Sequence, residues 1–432
     1  MKQLPSIEFL YEIFKQHPQV QTDTRKLQKG DIYFALKGPN FNGNLFALNA
    51  LEAGAAYVIV DETISIEAKW QEQIIKVDDS LICLQALAKL HRTQFTIPFI
   101  GITGSNGKTT TKELVAAVLS SHFKTYTTKG NLNNHIGVPL TLLSIQADAE
   151  IAVIEMGANH LKEIEIYCSY TMPNYGLITN CGKAHLEGFG SEEGVRKGKG
   201  ELFDFLRANN GTAFIMSDYD YLVQMSAGIT EVVSYGATTG SLQGTAHSNN
   251  GMLAVEFTKG SPFENIQTQL VGDYNLPNVL AAVSIGVYFK VPTDKIKNAL
   301  ENYTPTNSRS QLMRWEENDI ILDAYNANPS SMKLAVENFA KLAASHKILF
   351  LGGMKELGET SLAEHQQLIS LLQQLHFENV VLVGGDFNAC THPYLYFENV
   401  LNAKAWLNQQ HLKGYSILIK GSRGFQMEQL IA

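Results

Sequence analysis

The residues with the clearest chemical potential form the glycine-rich run GITGSNGKTT at positions 101–110. The run follows an apolar segment and precedes a predicted helix that begins near Lys108. Glycines let backbone N–H groups turn toward phosphate oxygens, and a helix N-terminus adds partial positive charge. Lys108 can then neutralise the β and γ phosphates of a nucleotide, and the Thr109 hydroxyl can bind Mg²⁺. The run therefore predicts a phosphate-binding loop.

The loop departs at one position from the strict pattern GxxxxGK[ST], because Ile102 occupies the first glycine position. The tighter spacing TGxxGKT is a recognised variant, so we still expect nucleotide binding. The alternative is a glycine-rich turn that carries an incidental lysine. The residues expected to contact the nucleotide are Gly104, Ser105, Asn106, Gly107, Lys108, Thr109 and Thr110.

A carboxylate and an imidazole accompany two other apolar runs. Glu155 ends the predicted strand at 151–156, and His185 follows the predicted strand at 175–180. Ligand sites gather at the carboxyl ends of parallel strands, so these side chains could share a metal site. By themselves, Glu155 could equally cap a helix and His185 could be a structural histidine. An imidazole would also be an unusual ligand for magnesium, which prefers oxygen.

A parallel sheet is needed to bring these side chains together. From residue 97 the chain alternates between an apolar run, a polar or glycine-rich loop and a helical pattern, with strands expected at 98–103, 151–156 and 175–180. Such alternation predicts a parallel sheet wrapped by helices. Between about 212 and 271 short alternating runs flank Asn250-Gly251, a pair typical of hairpin turns, so we expect an antiparallel excursion there.

Two further α/β domains flank this central one. Residues 1–95 carry strand signals at 31–36 and 56–60 and a helical pattern at 81–90, which indicates a small α/β domain. A segment rich in Pro, Thr and Asn at 303–308 is typical of a linker. Beyond it, short apolar runs that end in polar or glycine-rich turns predict a Rossmann-like doubly wound sheet. The expected domains are 1–95, 96–308 and 309–432.

Composition excludes several classes of protein. The 432 residues are 45% apolar and 18% charged, which excludes disordered and fibrous chains. A net charge of −8 disfavours nucleic acid as a partner. Four widely spaced cysteines form no CxxC pair and suit buried thiols in a reducing cytoplasm. We see no signal peptide, and the apolar runs are too short for membrane insertion.

Several runs together resemble the Mur ligase family over nearly the whole chain. Besides the phosphate loop they are GNLNNHIGVP at 130–139, EMG at 155–157, AHLEGFG at 184–190, GDYNLPN at 272–278 and DAYNANP at 323–329. The resemblance implies that ATP activates a substrate carboxylate as an acyl phosphate, which an incoming amine then attacks. It also implies Mg²⁺ on Thr109 and a second Mg²⁺ near Glu155 and His185.

The resemblance assigns roles to further residues. Lys199 matches the family lysine that CO₂ carbamylates to help hold the second magnesium; without the resemblance, Arg196, Lys197 and Lys199 would be interpreted as a solvated basic face. It places Asn275 and Asn278 at adenine, Arg309 at the ATP phosphates and Asp323 at ribose. Turn formation or helix capping is the alternative for the asparagines. Substrate contacts are implied for Asp23, Thr24, Arg25, Asn131, Asn133, Asn134, Asn326, Ser422 and Arg423.

The runs LGGMKELG at 351–358 and KGSR at 420–423, with YNANP, are closest to the branch that adds D-alanyl-D-alanine to UDP-N-acetylmuramoyl-tripeptide. The first domain departs from that branch, because Asn42-Gly43-Asn44 stands where Asp-Gly-His is usual. Alternatives are a relative that adds another amine, a folylpolyglutamate synthetase, or a regulatory ATPase that does not ligate. We expect a monomer. The third residue of the stem peptide, lysine or diaminopimelate, stays open.

Overall fold

The computed structural model describes residues 5–65, 67–249, 251–306 and 308–432. The chain divides into two compact units. The first consists of Met1–Gly101, Phe123–Gly157 and Glu163–Tyr175, and the second of Ile102–His122, Ala158–Lys162 and Gly176–Ala432. Within the described ranges, none of the helices is both long and apolar enough to cross a membrane.

Helices and strands alternate along most of the chain. The helices are α1 Ile7–Gln16, α2 Ala47–Glu52, α3 Ser80–Arg92, α4 Lys108–Ser120, α5 Gly137–Leu143, α6 Glu163–Thr171, α7 Leu186–Phe189, α8 Glu192–Ala208, α9 Asp220–Met225, α10 Leu276–Tyr288, α11 Thr293–Glu301, α12 Pro329–Lys341, α13 Ser361–Gln374 and α14 Val400–Gln410. The strands are β1 Val20–Gln21, β2 Ile32–Phe34, β3 Lys37–Gly38, β4 Phe41–Asn42, β5 Tyr57–Val60, β6 Ile74–Lys76, β7 Phe99–Thr103, β8 Thr125–Thr127, β9 Ile151–Glu155, β10 Tyr175–Ile178, β11 Thr212–Met216, β12 Glu231–Gly236, β13 Leu242–Asn249, β14 Met252–Lys259, β15 Asn265–Val271, β16 Gln311–Trp315, β17 Asn318–Asp323, β18 Lys347–Gly352, β19 Val380–Val383, β20 Leu395–Phe397 and β21 Ser416–Lys420.

In the first unit, a parallel sheet in the order β1-β2-β5-β6 forms the N-terminal α/β fold. The core contains Tyr33, Leu51, Val58 and Val60. Apolar strands of this kind form the buried interior of a parallel sheet. The strands expected at 31–36 and 56–60 and the helix expected at 81–90 correspond to β2, β5 and α3.

Helix α3 is fixed at both ends. Asp79 caps it by accepting the N–H of Ile82 at 2.9 Å. At its C-terminal end Arg92 donates to the carbonyls of Thr171 and Met172, at 2.8 and 2.9 Å. A cation at the C-terminus of α6 is favoured by the helix dipole. Burial lowers the pKa of Arg92 to about 10, so the charge persists at neutral pH.

In the second unit, the strand order β15-β14-β13-β12-β11-β10 combines parallel and antiparallel pairing. The antiparallel excursion is confirmed, but it is shorter than the expected 212–271. Strands β11, β12 and β13 pair in parallel, and only β13–β14 and β14–β15 pair antiparallel. Helix α9 separates β11 from β12 and allows their parallel crossover. Of the predicted hairpin pair, Asn250 lies outside the described residues and Gly251 has φ +82°.

The C-terminal sheet, also in the second unit, has the order β16-β17-β21-β18-β19-β20. All pairs are parallel except β16–β17 at the edge. Apolar cores cover both faces, one around Met332, Phe339 and Ile369 and the other around Phe350 and Ile419. A parallel sheet buried on both faces is the expected doubly wound fold.

Two smaller expectations have mixed outcomes. Cys168 and Cys181 are buried, but Cys83 and Cys390 are only half-buried; all four are free thiols. The linker expected at 303–308 lies between α11 and β16. Asn307 within it lies outside the described residues. The proposed domain boundaries at 95 and 308 stay predictions.

Candidate active site

The loop after β7 has backbone conformations that require glycine. Gly104 has φ +142°, and a Cβ added there would collide with the hydroxyl of Thr179. Gly107 has φ +78°, and its Cβ would lie 2.7 Å from Oδ1 of Asn278. Side chains are disfavoured at such φ values, and the space is occupied in both places. The two glycines therefore set the path of the loop.

The residues after β10 hold this loop from one side. Asn180 accepts the Ser105 N–H on its backbone oxygen at 2.8 Å and the Asn106 N–H on Oδ1 at 3.0 Å. The Thr179 hydroxyl and Nδ2 of Asn180 both donate to the Asn106 carbonyl, at 2.6 and 3.1 Å. The Ser105 hydroxyl donates to Gly182 at 3.0 Å. The loop is thus preformed by polar contacts.

Helix α4 begins directly after the loop, at Lys108. The first N–H groups of a helix lack intrahelical acceptors and form a natural anion site. The Lys108 ammonium folds back over the loop and donates to Gly104 O at 2.7 Å and Ser105 O at 3.1 Å. Thr109 is buried in the first turn. This arrangement fits a nucleotide phosphate chain.

Asn275 and Asn278 lie at the start of α10, against the loop. Asn278 Nδ2 donates to Asn275 Oδ1 at 2.8 Å, and Asn278 Oδ1 accepts from the Thr111 hydroxyl at 2.9 Å. Asn275 Nδ2 donates to Val271 O at 2.9 Å. Both amides are buried and fix α10 to α4. Their expected place at adenine stays a prediction.

Arg309 and Asp323 lie where the linker enters the C-terminal sheet. Asp323 pairs with the buried Lys420 at 2.6 Å and accepts the Ser310 N–H at 3.2 Å. The Arg309 guanidinium lies 3.7 Å from the centre of the Tyr325 ring. The expected roles of Arg309 and Asp323 in ATP binding stay predictions.

Two residues at the helices that pack on the C-terminal sheet, the N-cap of α12 and a residue of α13, reach the loop of β7 and the segment after β10, all within the second unit. Asn328 Nδ2 donates to Asn106 Oδ1 at 2.8 Å. Lys183 pairs with Glu364 at 2.8 Å, and this hydrogen bond raises the pKa of Lys183. The contacts bring the C-terminal sheet to the phosphate loop.

His185 also contacts the C-terminal part of the chain. Its Nδ1 lies 2.5 Å from Oε2 of Glu356, and the close approach of His185 lowers the pKa of Glu356. Both residues have left-handed backbones, with φ +52° and +64°. Such conformations are uncommon outside glycine and gather at functional sites. The expected metal role of His185 stays a prediction.

Lys199 is fully buried on α8. Its Nζ donates to Ala158 O at 2.7 Å and lies 4.9 Å from the centre of the Phe189 ring. A solvated position for Lys199 is therefore excluded, although Lys197 is exposed. Lys199 shares a face with the buried residues Val195, Leu202 and Leu206, a spacing visible in the sequence.

Glu155 and the asparagine run lie in the first unit. Glu155 is buried at the end of β9; it accepts from Asn133 Nδ2 at 2.8 Å, and its N–H donates to the Thr128 hydroxyl at 2.9 Å. Asn134 Oδ1 accepts the Gly137 N–H at 2.8 Å, where α5 begins. Asn131 is exposed. Asn134 thus supports the turn before α5, and Asn133 orients Glu155; the expected substrate contacts of the three asparagines stay predictions.

The expected substrate residues at the N-terminus form a local turn. Asp23 accepts the backbone N–H of Arg25 at 3.0 Å and pairs with its guanidinium at 2.7 Å; Thr24 lies between them. The Arg25 hydrogen bonds lower the pKa of Asp23 to about 2. Arg25 remains largely exposed and is available to a ligand.

The turn that departs from the family pattern is also ordered. The buried Asn44 donates from Nδ2 to Asp61 Oδ1 at 2.8 Å, and Asn42 Oδ1 accepts its backbone N–H at 3.0 Å. Lys37 Nζ lies 3.2 Å from Asp61 Oδ1. Gly43 is required here, because an added Cβ would lie 2.6 Å from Leu36 O. The asparagines therefore support the turn through Asp61.

The expected C-terminal substrate residues differ in environment. Ser422 is buried, donates to Ala327 O at 3.0 Å and accepts the Lys355 N–H at 3.0 Å. Asn326 Oδ1 accepts the Ala327 N–H at 2.9 Å. Arg423 is exposed and pairs with Glu428 at 2.8 Å. Ser422 thus orders the segment, and Arg423 faces solvent.

Among the described residues, no three histidine, cysteine or carboxylate side chains come together. Magnesium usually takes one or two protein ligands beside substrate phosphates and water, so the buried Thr109 hydroxyl at the helix N-terminus fits it.

Three residues absent from the predicted site contact it. Asn180 ends a predicted strand, and its position at the carboxyl end was a usable signal. Asn328 and Glu356 lie in runs that supported the resemblance, but their partners Asn106 and His185 are distant in sequence. Local spacing alone cannot reveal such pairs.

Similarity to known proteins extends over most of the chain. Residues 18–92 match the model for the Mur ligase family catalytic domain, 102–286 the Mur ligase middle domain, and 308–423 the Mur ligase glutamate ligase domain. The UDP-N-acetylmuramoyl-tripeptide–D-alanyl-D-alanine ligase of Bacillus subtilis is 34% identical, over 95% of this chain and 92% of its own length. The Escherichia coli enzyme of the same name is 36% identical, over the same shares.

Solved structures of MurF enzymes superimpose on this chain over most of its length. MurF from Acinetobacter baumannii superimposes with a TM-score of 0.85 at 29% identity, covering 95% of this chain and 92% of that one. MurF from Thermotoga maritima in complex with ADP has a TM-score of 0.85 at 25% identity, with 96% of each chain covered.

Proposed function

This chain belongs to the Mur ligase family, and from that premise we propose that it joins D-alanyl-D-alanine to UDP-N-acetylmuramoyl-tripeptide in an ATP-dependent reaction. The products are ADP, phosphate and the pentapeptide precursor of peptidoglycan. The observation that carries the proposal is the preformed phosphate loop contacted by Asn328, the N-cap residue of α12 in the C-terminal part of the chain. The relatives that carry this activity in their names align over almost their whole length.

The reaction has two steps. A carboxylate oxygen of the tripeptide attacks the γ-phosphorus of ATP, the bond to the bridging oxygen breaks, and ADP leaves. The amine of the dipeptide then attacks the acyl carbon, the bond from that carbon to the phosphoryl-bearing oxygen breaks, and phosphate leaves as the amine loses a proton. No nucleophile from the protein is required, because the substrate carboxylate and the incoming amine are the nucleophiles of the two steps.

The site must offset negative charge, because the substrate carboxylate has to approach the negatively charged phosphates of ATP. Lys108 moves its ammonium from the loop carbonyls to the phosphates, and the N-terminus of α4 faces them. Such preorganised donors stabilise charge that develops in the transition state. Gly104 and Gly107 let the backbone come close enough for these contacts.

Magnesium belongs to the same proposal. Thr109 would bind one ion, and Glu155, His185 and Lys199 as a carbamate would hold a second. The ions supply positive charge that screens the phosphates. Carbamylation joins CO₂ to the Lys199 amine with loss of a proton and creates the oxygen ligands that magnesium prefers. Asn133 keeps the Glu155 carboxylate oriented.

The remaining residues bind the substrates. We assign the nucleotide to Gly104, Ser105, Asn106, Gly107, Lys108, Thr109, Thr110, Asn275, Asn278, Arg309 and Asp323. We assign the peptide substrates to Asp23, Thr24, Arg25, Asn131, Asn133, Asn134, Asn326, Ser422 and Arg423.

Each of the three proposed domains binds a different substrate. Residues 1–95 bind the UDP-sugar peptide, 96–308 bind ATP, and 309–432 bind the dipeptide. We propose a monomer that acts in the cytoplasm without nucleic acid. The free cysteines are compatible with the cytoplasm, and the net charge of −8 is compatible with the absence of a nucleic-acid partner.

The test is phosphate release from ATP and Mg²⁺ with UDP-N-acetylmuramoyl-tripeptide, with and without D-alanyl-D-alanine, together with mass spectrometry of the product. We expect release that depends on the dipeptide and a pentapeptide product. Ligation of another amine would move the chain to another branch of the family. Release without any ligated product would instead indicate a regulatory ATPase.

A further inference from the structure

Arg309 rests on an aromatic ring. The centre of its guanidinium lies 3.7 Å from the centre of the Tyr325 ring. Its Nε is buried, with no hydrogen-bond partner in the part of the chain that the structure describes. A guanidinium stacked on a ring is stabilised by the π face, while the N–H groups at its edge remain directed outward. The stack thus supports the cation and leaves its donors to another group.

The backbone around Arg309 is fixed by the same short segment that carries Tyr325. The Tyr325 N–H donates to Ser308 O at 3.2 Å, and Asp323 Oδ1 accepts the Ser310 N–H at 3.2 Å. Ser308 and Ser310 have left-handed backbones, with φ +54° and +46°. Non-glycine residues keep such conformations only where neighbours enforce them. Residues 323–325 therefore hold both the main chain and the side chain of Arg309.

The carboxylate close to this segment is already engaged. Asp323 accepts a hydrogen bond from the buried Lys420 Nζ on Oδ2 at 2.6 Å and another from the Ser310 N–H on Oδ1. Nearby, Glu113 accepts a hydrogen bond from the Tyr303 hydroxyl. A partly buried guanidinium whose support is a ring rather than a carboxylate is suited to an incoming anion. The phosphates of ATP are that anion in the proposed reaction.

We propose that Tyr325 is a positioning residue for ATP: its ring holds the guanidinium of Arg309 flat and presents the N–H edge to the nucleotide phosphates. The inference deepens the proposed function and rests on it. The ring acts through Arg309 and does not touch the reacting atoms. Because residues 323–325 lie at and directly after the end of β17, the position of the cation depends on the C-terminal sheet.

The test compares Tyr325→Leu, Tyr325→Phe, Arg309→Ala and the Tyr325→Leu/Arg309→Ala double variant. Steady-state ligation gives kcat and the KM of ATP and of dipeptide, and thermal melting checks the fold. Loss of the ring in Tyr325→Leu should raise the KM of ATP about tenfold, the middle of the range for cation–π contacts. The KM of the dipeptide should stay unchanged, and kcat should fall less than about threefold. Tyr325→Phe keeps the ring face and should stay within about twofold of the parent.

The double variant separates positioning from simple packing. In the Arg309→Ala background, Tyr325→Leu should change the KM of ATP by less than about twofold, because the group it positions is gone. An equal effect in both backgrounds would overturn the inference, as would a Tyr325→Phe variant as impaired as Tyr325→Leu. If Tyr325→Leu melts early, Arg309→Lys replaces it; that variant keeps the charge but loses the planar stack, and a parental KM of ATP would count against the inference.

The two proposals fail in different ways. A parent enzyme that forms no ligated product overturns the proposed function. A parent enzyme that ligates normally, with a Tyr325→Leu variant of unchanged KM for ATP, overturns only the role of Tyr325.

Discussion

The phosphate loop and the C-terminal contacts that meet it are built on different principles. In the loop, Gly104 and Gly107 have positive φ and no room for a side chain, and Asn180 fixes the chain with three hydrogen bonds. The C-terminal contacts are single polar pairs, such as Asn106–Asn328, which are 222 residues apart in sequence. A single hydrogen bond of this kind contributes about 0.5–1.5 kcal/mol. The loop should therefore tolerate almost no change, whereas the contacts should tolerate single losses.

The largest effect is expected at the loop's own cation. Lys108→Ala removes the ammonium that lies over the loop, and we expect about a thousandfold loss of kcat, the upper end of the range for a lost transition-state donor. Steady-state ligation measures it, and Lys197→Ala, which removes an exposed lysine, is the control. Activity within tenfold of the parent would contradict the role of Lys108.

The buried lysine of α8 comes next. Lys199→Ala should lower kcat by about a hundredfold, because the proposed magnesium would lose an oxygen ligand. Added short-chain carboxylates should restore part of the activity by occupying the place of the carbamate. Thermal melting is measured beside the rescue, because Lys199 also binds Ala158 O. A folded Lys199→Ala variant with normal turnover would show that no carbamate is needed.

A change of one methyl group tests the loop's geometry. Gly104→Ala combines φ +142° with a collision against Thr179, so ATP should bind at least about tenfold more weakly and the melting temperature should fall. The matched control is Gly414→Ala, which has φ +69° but nothing within 4 Å of the added Cβ. Calorimetric titration with ATP compares them. Equal ATP affinity in the two variants would mean that crowding at the loop has no consequence.

The smallest effect should come from the C-terminal contacts. Lys183→Met breaks the pair with Glu364, and we expect the KM of the dipeptide to rise about threefold, in keeping with an ion pair in which the lysine is half-exposed and the carboxylate is buried. Glu364→Gln is the reciprocal variant and should have an effect of similar size. A hundredfold rise in the KM of the dipeptide in either variant would mean that this pair matters as much as the loop.

This pair also has a defined pH dependence. The hydrogen bond to Glu364 raises the pKa of Lys183 above its ordinary 10.5, so the lysine stays charged below that pH. The stabilisation is fully present below pH 10.5 and is lost as the pH rises through the raised pKa. The ratio of the dipeptide KM of Lys183→Met to that of the parent should therefore be the same at pH 7 and pH 9.

Local signals were enough for much of the fold and for the phosphate loop. Alternating apolar runs and loops predicted the parallel sheets, and the spacing of glycines around Lys108 predicted the loop before α4. The antiparallel excursion was placed too widely, because β11 and β12 are short strands that resemble hairpin strands until the crossover helix α9 is recognised.

The rest of the site depends on pairs that no local pattern encodes. Glu356 meets His185, and Asn328 meets Asn106, only because the C-terminal sheet and the loop fold into the same unit. The burial of Lys199 was accessible in principle, since Val195 and Leu202 mark its face of α8 as apolar. Two neighbouring basic residues, Arg196 and Lys197, obscured that signal.

The central claim is that ATP activates the carboxylate of the tripeptide before the dipeptide attacks. The most direct measurement uses UDP-N-acetylmuramoyl-tripeptide labelled with ¹⁸O in that carboxylate, with ATP, Mg²⁺ and D-alanyl-D-alanine, and determines the isotope content of the released phosphate. Because the leaving phosphate carries one carboxylate oxygen, the account predicts one ¹⁸O per phosphate and an equal amount of pentapeptide product. Unlabelled phosphate would mean that water attacks ATP and would contradict the account.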